Sequence, residues 1–290
     1  MTENNLHQSD ISCYSRYVGS LSDVLKAKTG LNSTTHVASV RYDDDAKSQN
    51  VLSVVKAFPY SSHLWANEAI AWILARSMNV AVPTHAAVLI VDKTQINNDH
   101  GPELVNFAKG SPGPIILWCT AVVDPRQKIT TIMGANWHSK LLEKESGRRM
   151  LAFDEFVGNI DRHDGNIVYL MTNGGVPIAI DNERLAYAQD WTKSAVQHMD
   201  LIVGWYSPLL NTLKSGLASN DAARKKRFVS FRNDVKSISE EHESVLADFS
   251  NAITELIDDN FSHSQDAAHQ LLSYLKKRVT KDAIEVRYGS

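Results

Sequence analysis

The feature that most constrains this sequence is the polar segment Asp161-Arg162-His163-Asp164-Gly165-Asn166, which lies directly before a short apolar stretch at 167–170. A Gly-Gly pair at 174–175 then marks a tight turn, and a second apolar stretch at 176–180 ends at Asp181. Two short apolar stretches joined by such a turn predict a β-hairpin. The hairpin would bring the polar groups of Asp161, Asn166 and Asp181 to the same end.

Oxygen-bearing side chains in this order suit phosphoryl transfer. This reaction requires a bound metal ion and a correctly oriented acceptor hydroxyl, and it needs little covalent catalysis by the protein. Asp161 would align and deprotonate the acceptor hydroxyl, a form of help that is worth roughly 10²–10⁴-fold in rate. Asn166 and Asp181 would bind Mg²⁺, which prefers oxygen ligands and is commonly held by one or two carboxylates together with phosphates. His163 is a candidate catalytic residue or a structural hydrogen-bonding group, and Arg162 would contact phosphate or pair with a carboxylate.

The rest of a nucleotide site is expected upstream. Lys56 lies near the end of a predicted strand, Val51–Phe58, and would reach the α- and β-phosphates of ATP. Glu68, in a predicted helix over 64–78, would hold that lysine by an ion pair. The small hydrogen-bonding residues Gly30 to His36 would cover the phosphates through their backbone N–H groups, and these include Ser33, Thr34 and Thr35. The adenine would lie near Leu117, Trp118 and Cys119.

The segment Phe153-Asp154-Glu155-Phe156-x-Gly158-Asn159-x-Asp161-x-His163-x-x-Asn166 is similar to the catalytic loop of the HipA-like bacterial kinases. Its Asp-Arg-His part also resembles the catalytic loop of phosphatidylinositol kinases. The resemblance spans roughly residues 28 to 190, and the order of Lys56, Glu68, Asp161, Asn166 and Asp181 agrees with it.

The HipA-like resemblance implies a protein-kinase-like fold and transfer of phosphate from ATP to serine, often in a toxin. Several such kinases are regulated by phosphorylation in the phosphate loop, a role that would fall here on Ser33, Thr34 or Thr35. The N-terminal domain of full-length HipA toxins has no room in this chain. A separate regulatory or antitoxin protein would therefore be the counterpart, if there is one.

The sequence departs from ordinary protein kinases in two places. The predicted phosphate loop contains one glycine, Gly30, where ordinary kinases have G-x-G-x-x-G, and Asp181 is followed by Asn182-Glu183 rather than Phe-Gly. The second departure leaves the usual conformational switch at that point without a counterpart.

The overall pattern predicts an α+β, bilobal, protein-kinase-like fold. Residues 1–12 would be a disordered arm, residues 13–123 a β-rich N-lobe with one helix, and residues 124–290 a helical C-lobe. Residues 92–113 are rich in Asn, Asp, Gly and Pro, which predicts an exposed insertion. A helix is expected from Arg148 to Ile160, and Ser237 with Glu240 has the spacing of a capping box ahead of a later helix.

Composition narrows the class of protein. Thirty basic and 33 acidic residues give a formal charge of −3, which does not favour direct nucleic-acid binding. The two cysteines, Cys13 and Cys119, match no metal or redox spacing, and the N-terminus has no apolar signal core. The longest apolar run, 115–123, is too short to span a bilayer. We therefore expect a cytoplasmic protein.

Three hypotheses remain open from the sequence. The first is a kinase that phosphorylates serine or threonine in a protein, the second a lipid or small-molecule kinase, and the third a nucleotide-binding pseudokinase that docks a partner. Simpler interpretations also exist, since the 161–166 segment could be a turn whose side chains only cap backbone groups. The basic run Arg224-Lys225-Lys226-Arg227 is most simply a solvated helix face.

Overall fold

The computed structural model describes residues 11–12, 16–20, 34–42, 50–62, 64–98, 102–172, 175–182, 184–186, 207–260 and 265–289. The chain divides into two compact units, one of residues 1–69 and 83–123 and the other of residues 70–82 and 124–290. Helix α1 (Leu64–Ser77) contributes to both units. None of the helices in the described ranges is long and apolar enough to cross a membrane.

The first unit is built on a six-stranded sheet with the order β1-β5-β6-β4-β3-β2. Neighbouring strands are antiparallel except β1 and β5, which are parallel. The strands are β1 (Ile11–Ser12), β2 (Arg16–Ser20), β3 (Thr34–Arg41), β4 (Val51–Pro59), β5 (Ala86–Val91) and β6 (Ile115–Ala121). The predicted disordered arm lies mostly outside the described residues, but its last two residues form β1.

The segment predicted to be an exposed insertion contains helix α2 (Pro102–Gly110). Leu104 and Ala108 of this helix are buried in the core cluster of the first unit, with Val55, Ala57 and other residues of the sheet. The prediction of an exposed loop was therefore wrong for residues 102–110. The apolar positions 104, 107 and 108 have helical spacing, and burial of this stripe outweighs the loop-forming residues on either side.

The second unit contains a three-stranded antiparallel sheet and most of the helices. The sheet has the order β7-β8-β9, and β8 and β9 form the hairpin that the sequence predicts. Its strands are β7 (Arg126–Lys128), β8 (Ile167–Leu170) and β9 (Val176–Ala179). The helices are α3 (Ile129–Met133), α4 (Trp137–Leu142), α5 (Glu145–Val157), α6 (Pro208–Leu217), α7 (Ala222–Asn260), α8 (Gln265–Arg278) and α9 (Lys281–Tyr288).

Helix α5 ends three residues earlier than its apolar pattern predicts. Gly158 follows it in a left-handed conformation, with φ of 71°, and its N–H donates to the carbonyl oxygen of Asp154. Glycine adopts this conformation without the steric cost that a Cβ atom would add. The chain therefore leaves the helix at Gly158, and Ile160 lies in the loop beyond it.

The capping box predicted at Ser237 does not start a helix, because Ser237 lies inside the 39-residue helix α7. The residue that caps α7 is Asp221, whose Oδ1 accepts hydrogen bonds from the backbone N–H groups of Ala223 and Arg224. An acidic N-cap satisfies N–H groups that have no partner within the helix. The correct start signal was thus sixteen residues upstream.

A buried ionic network joins α5 to the C-terminal helices. Glu155 accepts a hydrogen bond from the backbone N–H of Ser207, and its carbonyl oxygen accepts one from Arg278 Nε at 2.7 Å. Arg287 donates in turn to the carbonyl oxygen of Arg278. Burial raises the pKa of the Glu155 carboxyl group, while the charge of Arg278 opposes that shift. These contacts fix the orientation of α5, the helix that leads to the polar loop.

We expect the stability of this unit to depend on pH through His242 of α7, which packs on the ring of Phe156. Burial, aided by the positive charges of Arg287 and Arg149, lowers the pKa of His242 to about 3. Below about pH 6.5 the unfolded chain therefore gains a proton here that the folded chain does not. From pH 7 to pH 5 this should lower the free energy of unfolding by about 2 kcal/mol.

Urea denaturation at several pH values checks this expectation, with His242→Leu as the comparison. The variant removes the titrating ring, so its stability should fall less over the same interval. Parallel pH profiles for the two proteins would contradict the assignment.

Candidate functional site

The centre of the polar loop is Arg162, whose side chain is fully buried. Its Nε and Nη2 donate to the carboxylate of Asp154 at 3.1 and 2.9 Å. Its Nη1 donates to the carbonyl oxygens of Asn166 and Ile180, and its Nη2 also donates to Asn182 Oδ1 at 2.6 Å. One guanidinium group therefore joins helix α5, the polar loop and the segment after β9. Arg162 pairs with a carboxylate, the second of the two roles that the sequence left open.

Asp154 is the buried counter-ion of this arrangement. Burial raises the pKa of its carboxyl group, and the Arg162 guanidinium and the Asn159 amide oppose that shift. Asn159 connects the same carboxylate to the loop, because its Nδ2 donates to Asp154 Oδ1 and its Oδ1 accepts from the backbone N–H of Asp161. The backbone position of Asp161 is thus fixed by α5.

Asp161 lies at the edge of this frame with its side chain about one third exposed. Its carbonyl oxygen accepts a hydrogen bond from Asn166 Nδ2 at 2.7 Å. Its carboxylate forms an ion pair with Arg184, at 3.4 Å between Oδ2 and Nε. An exposed carboxylate on a rigid backbone can meet a hydroxyl group that arrives from solvent.

Asn166 and Asp181 are brought together by the β8–β9 hairpin. The backbone N–H of Ile180 donates to the carbonyl oxygen of Asn166 at 3.0 Å, which continues the strand pairing to the end where Asp181 begins. The Asn166 Nδ2 is turned to Asp161, so its Oδ1 points the other way. Asp181 is exposed and has φ of 56°, a left-handed conformation that costs energy in most residues and is commonest at functional sites.

The donor set at this end of the hairpin is one amide oxygen and one carboxylate, the hard oxygen ligands that Mg²⁺ prefers. Phosphates and waters commonly complete the coordination of Mg²⁺. Within the described residues there is no group of three or more His, Cys, Asp or Glu side chains that could hold a metal ion. The chemistry of the two residues fits the predicted ion.

His163 has a structural role that the geometry defines. Its Nδ1 accepts a hydrogen bond from the backbone N–H of Gly165 at 2.9 Å and so caps the short 3-10 helix Asp164–Asn166. A Cβ atom at Gly165 would lie 2.7 Å from the exposed His163 ring, so a larger residue here would displace that ring. The catalytic role predicted for His163 stays a prediction.

In the first unit, Lys56 of β4 and Glu68 of α1 form the predicted ion pair through Nζ and Oε1. Both side chains are largely buried. Thr35 of β3 and Trp118 of β6 lie directly opposite Lys56 in the two neighbouring strands, so the three side chains share one face of the sheet.

Several predicted nucleotide contacts lie elsewhere or outside the described residues. Leu117 and Cys119 flank Trp118 in β6 and therefore face the opposite side of the sheet, where they are fully buried in the core. Thr34 to His36 were predicted to be loop, but they belong to β3, whose β-branched residues pair with β4. Gly30, Ser33 and the side chain of Thr34 lie outside the described part of the chain.

Three residues that the structure places at the site have no role in the sequence-based prediction. Asp154 belongs to the motif from Phe153 to Asn166, whereas Asn182 and Arg184 lie one and three residues after Asp181. Their position close after a candidate metal ligand is the signal that the sequence offers.

No protein-family model matches the chain, and no curated protein matches it. Among solved structures, it is similar to the crystal structure of a Helicobacter pylori proinflammatory kinase, CtkA. The two share 14% sequence identity with a TM-score of 0.53, and the match covers 96% of this chain and 98% of that one. The chain therefore has a kinase-like fold, with a β-rich N-terminal part and a larger helical C-terminal part. The predicted fold class is confirmed.

Proposed function

We propose that this protein is an ATP- and Mg²⁺-dependent kinase of HipA-like type that transfers the γ-phosphate to serine or threonine of a protein. The observation that carries the proposal is the frame around Arg162, which holds the backbones of Asp161, Asn166 and Asp181 at one end of a hairpin. These are the residue types that kinases use as base and metal ligands. The kinase-like fold agrees with the proposal.

The chain's own groups have distinct tasks in this proposal. Bound Mg²⁺ and ATP would supply the phosphoryl group and neutralise the charge that develops on its oxygens. Asn166 and Asp181 would hold the metal ion, and Lys56, oriented by Glu68, would bind the α- and β-phosphates. Asp161 would align the acceptor hydroxyl and accept its proton. Its ion pair with Arg184 would favour one orientation of that carboxylate before the acceptor arrives.

The HipA-like type and the protein acceptor rest on the motif from Phe153 to Asn166. Regulation by phosphorylation of Ser33, Thr34 or Thr35, and control by a separate regulatory or antitoxin protein, are proposals of the same origin. CtkA is itself described as a proinflammatory kinase, which makes bacterial kinases the relevant class for comparison.

Incubation of the purified protein with γ-labelled ATP and Mg²⁺, alone and with cell lysate, tests the proposal. We expect label to enter protein on serine or threonine. Asp161→Asn should lower the rate about 10²–10⁴-fold because the proton acceptor is lost. Asp164→Asn is the matched control, since it removes a carboxylate from the same loop that has no assigned part in transfer.

Two outcomes would replace the proposal by another hypothesis. Label that enters extracted lipid rather than protein would favour a lipid kinase. Nucleotide binding without transfer to any acceptor would favour a pseudokinase that docks a partner. Equal rates for Asp161→Asn and wild type would contradict the role of Asp161.

A further inference from the structure

A polar cavity of about 620 Å³ lies in the second unit between α4, α6 and the first turns of α7. Its volume is within the range of binding sites for small molecules and peptide side chains, roughly 300–1,000 Å³. The phosphotransfer residues described above do not line it. The cavity is therefore a second feature of the unit that needs its own explanation.

The walls of the cavity are basic. Lys140 of α4 and Arg224 and Arg227 of α7 contribute three positive charges, and Thr212 and Ser215 of α6 add hydroxyl groups. None of the lining residues in the described part of the chain is acidic. A concave surface with several cations and hydrogen-bonding groups attracts oxyanions.

Two acidic groups beside the lining arginines are already engaged. Glu143 forms an ion pair with Arg227, at 3.1 Å between Oε1 and Nη1, and both side chains are about half exposed. Asp221 caps the N-terminus of α7 through backbone N–H groups. Neither carboxylate lines the cavity. Lys140 and Arg224 therefore add two positive charges beyond the Arg227–Glu143 ion pair.

The two arginines are exposed, but both lie near the ring of a buried phenylalanine. Phe228 is fully buried against Gly216 of α6, where an added Cβ atom would lie 2.2 Å from the ring. The guanidinium groups of Arg224 and Arg227 each lie 5.7 Å from the centroid of that ring. Attraction between each guanidinium and this ring favours positions of the two cations next to the cavity.

The cavity lies beside the polar loop. His138 of α4 lines it and stacks on Trp137, with ring centroids 3.7 Å apart. Burial lowers the pKa of His138, while the Asp164 carboxylate opposes that shift, which places the loop close to this wall. Asp164 is three residues from Asp161. A molecule seated in the cavity would thus lie on the side of α4 that faces the loop carrying the proposed base.

We propose that this basic cavity docks the acceptor protein through acidic side chains, carboxylate or phosphorylated, that flank the accepting serine or threonine. The proposal rests on the proposed function and names the class of its substrate. Apart from Ala135, the residues in the described lining are polar or charged, which favours a charged ligand over an acyl chain. His138 is the one aromatic residue in this described lining, and its ring already stacks on Trp137.

The test compares two double variants of the same helix. Arg224→Gln/Arg227→Gln removes two cations from the cavity, whereas Lys225→Gln/Lys226→Gln removes two exposed cations that do not line it. Each is assayed with γ-labelled ATP on serine peptides that have either glutamate or glycine and alanine around the serine. The cavity variant should raise KM for the acidic peptides about five- to thirtyfold and leave KM for ATP unchanged. The control variant should behave as wild type.

A binding measurement without ATP separates this proposal from the proposed function. Anisotropy of a fluorescein-labelled oligoglutamate peptide should report salt-sensitive binding that the cavity variant weakens and the control does not. A peptide with two phosphoserines among glycine and alanine tells whether phosphate or carboxylate is preferred. Peptide binding without phosphoryl transfer to any acceptor would support the docking site and contradict the proposed kinase activity.

Three results would overturn the docking proposal. One is equal KM for acidic and neutral peptides in the wild type. Another is loss of ATP binding in the cavity variant, which would make the cavity part of the nucleotide site. The third is binding to vesicles of phosphatidylserine and phosphatidylcholine that depends on Arg224 and Arg227, which would make it a membrane-surface site.

Discussion

Replacing Asp181 by Asn is expected to lower phosphoryl transfer by about 10³-fold while leaving the free energy of unfolding within about 0.5 kcal/mol of wild type. The loss of rate follows from the proposal, because the carboxylate charge that would hold the metal ion is gone. The stability is kept because Asp181 is exposed, and Asn is one of the few residues that tolerate its φ of 56°. Rate and stability should therefore separate in this variant.

Initial rates of label transfer and urea denaturation of the same preparation check this result. Asp181→Ala is the comparison, since it removes the same ligand but places a residue with no side-chain oxygen in a left-handed conformation. It should be equally inactive and about 1 kcal/mol less stable than Asp181→Asn. If Asp181→Asn kept a tenth or more of the wild-type rate, Asp181 would not be a required metal ligand.

The second large effect concerns Arg162, and Arg162→Met should destabilise the protein by about 3–5 kcal/mol and abolish transfer. Asp154 would keep a buried charge without its partner. The carbonyl oxygens of Asn166 and Ile180 and the amide oxygen of Asn182 would each lose a donor. The frame that positions Asp161 and the metal ligands would be lost with them.

A double variant separates the loss of stability from the loss of activity. Arg162→Met/Asp154→Leu removes both members of the buried pair, and well-packed apolar residues can replace such a pair at little cost. We expect it to regain a large part of the stability, measured by urea denaturation, but not the activity. Recovery of wild-type transfer in the double variant would show that Arg162 is not needed to position the site.

The local features of the site could be predicted because their signals are local. The hairpin is encoded by two apolar stretches and a glycine turn, and the Lys56–Glu68 pair by a strand followed by a helix. The role of Arg162 could not be predicted, since its partners Asp154, Ile180 and Asn182 are 8, 18 and 20 residues away. The sequence alone does not distinguish a buried arginine from a solvent-exposed one.

The errors also have physical reasons. The three apolar positions of α2 lie between loop-forming residues, so the local sequence favours a loop. They become buried because the sheet of the first unit provides a surface against which they pack. Ser237 has the spacing of a capping box, but a long helix can contain that pattern when its true cap, Asp221, lies upstream. Residues 56 and 118 are paired, so strand alternation places Trp118 on the face of Lys56 and Leu117 and Cys119 on the other; the adenine contact of these three residues stays a prediction.

The central claim is that Asn166 and Asp181 together hold one divalent cation with the phosphates of a bound nucleotide. Electron paramagnetic resonance of Mn²⁺, added to the protein with a non-hydrolysable ATP analogue, measures this directly, because Mn²⁺ accepts the same oxygen ligands as Mg²⁺. We predict one nucleotide-dependent Mn²⁺ per chain, weakened in Asn166→Ala and lost in Asp181→Asn. Unchanged Mn²⁺ binding in both variants would contradict the claim.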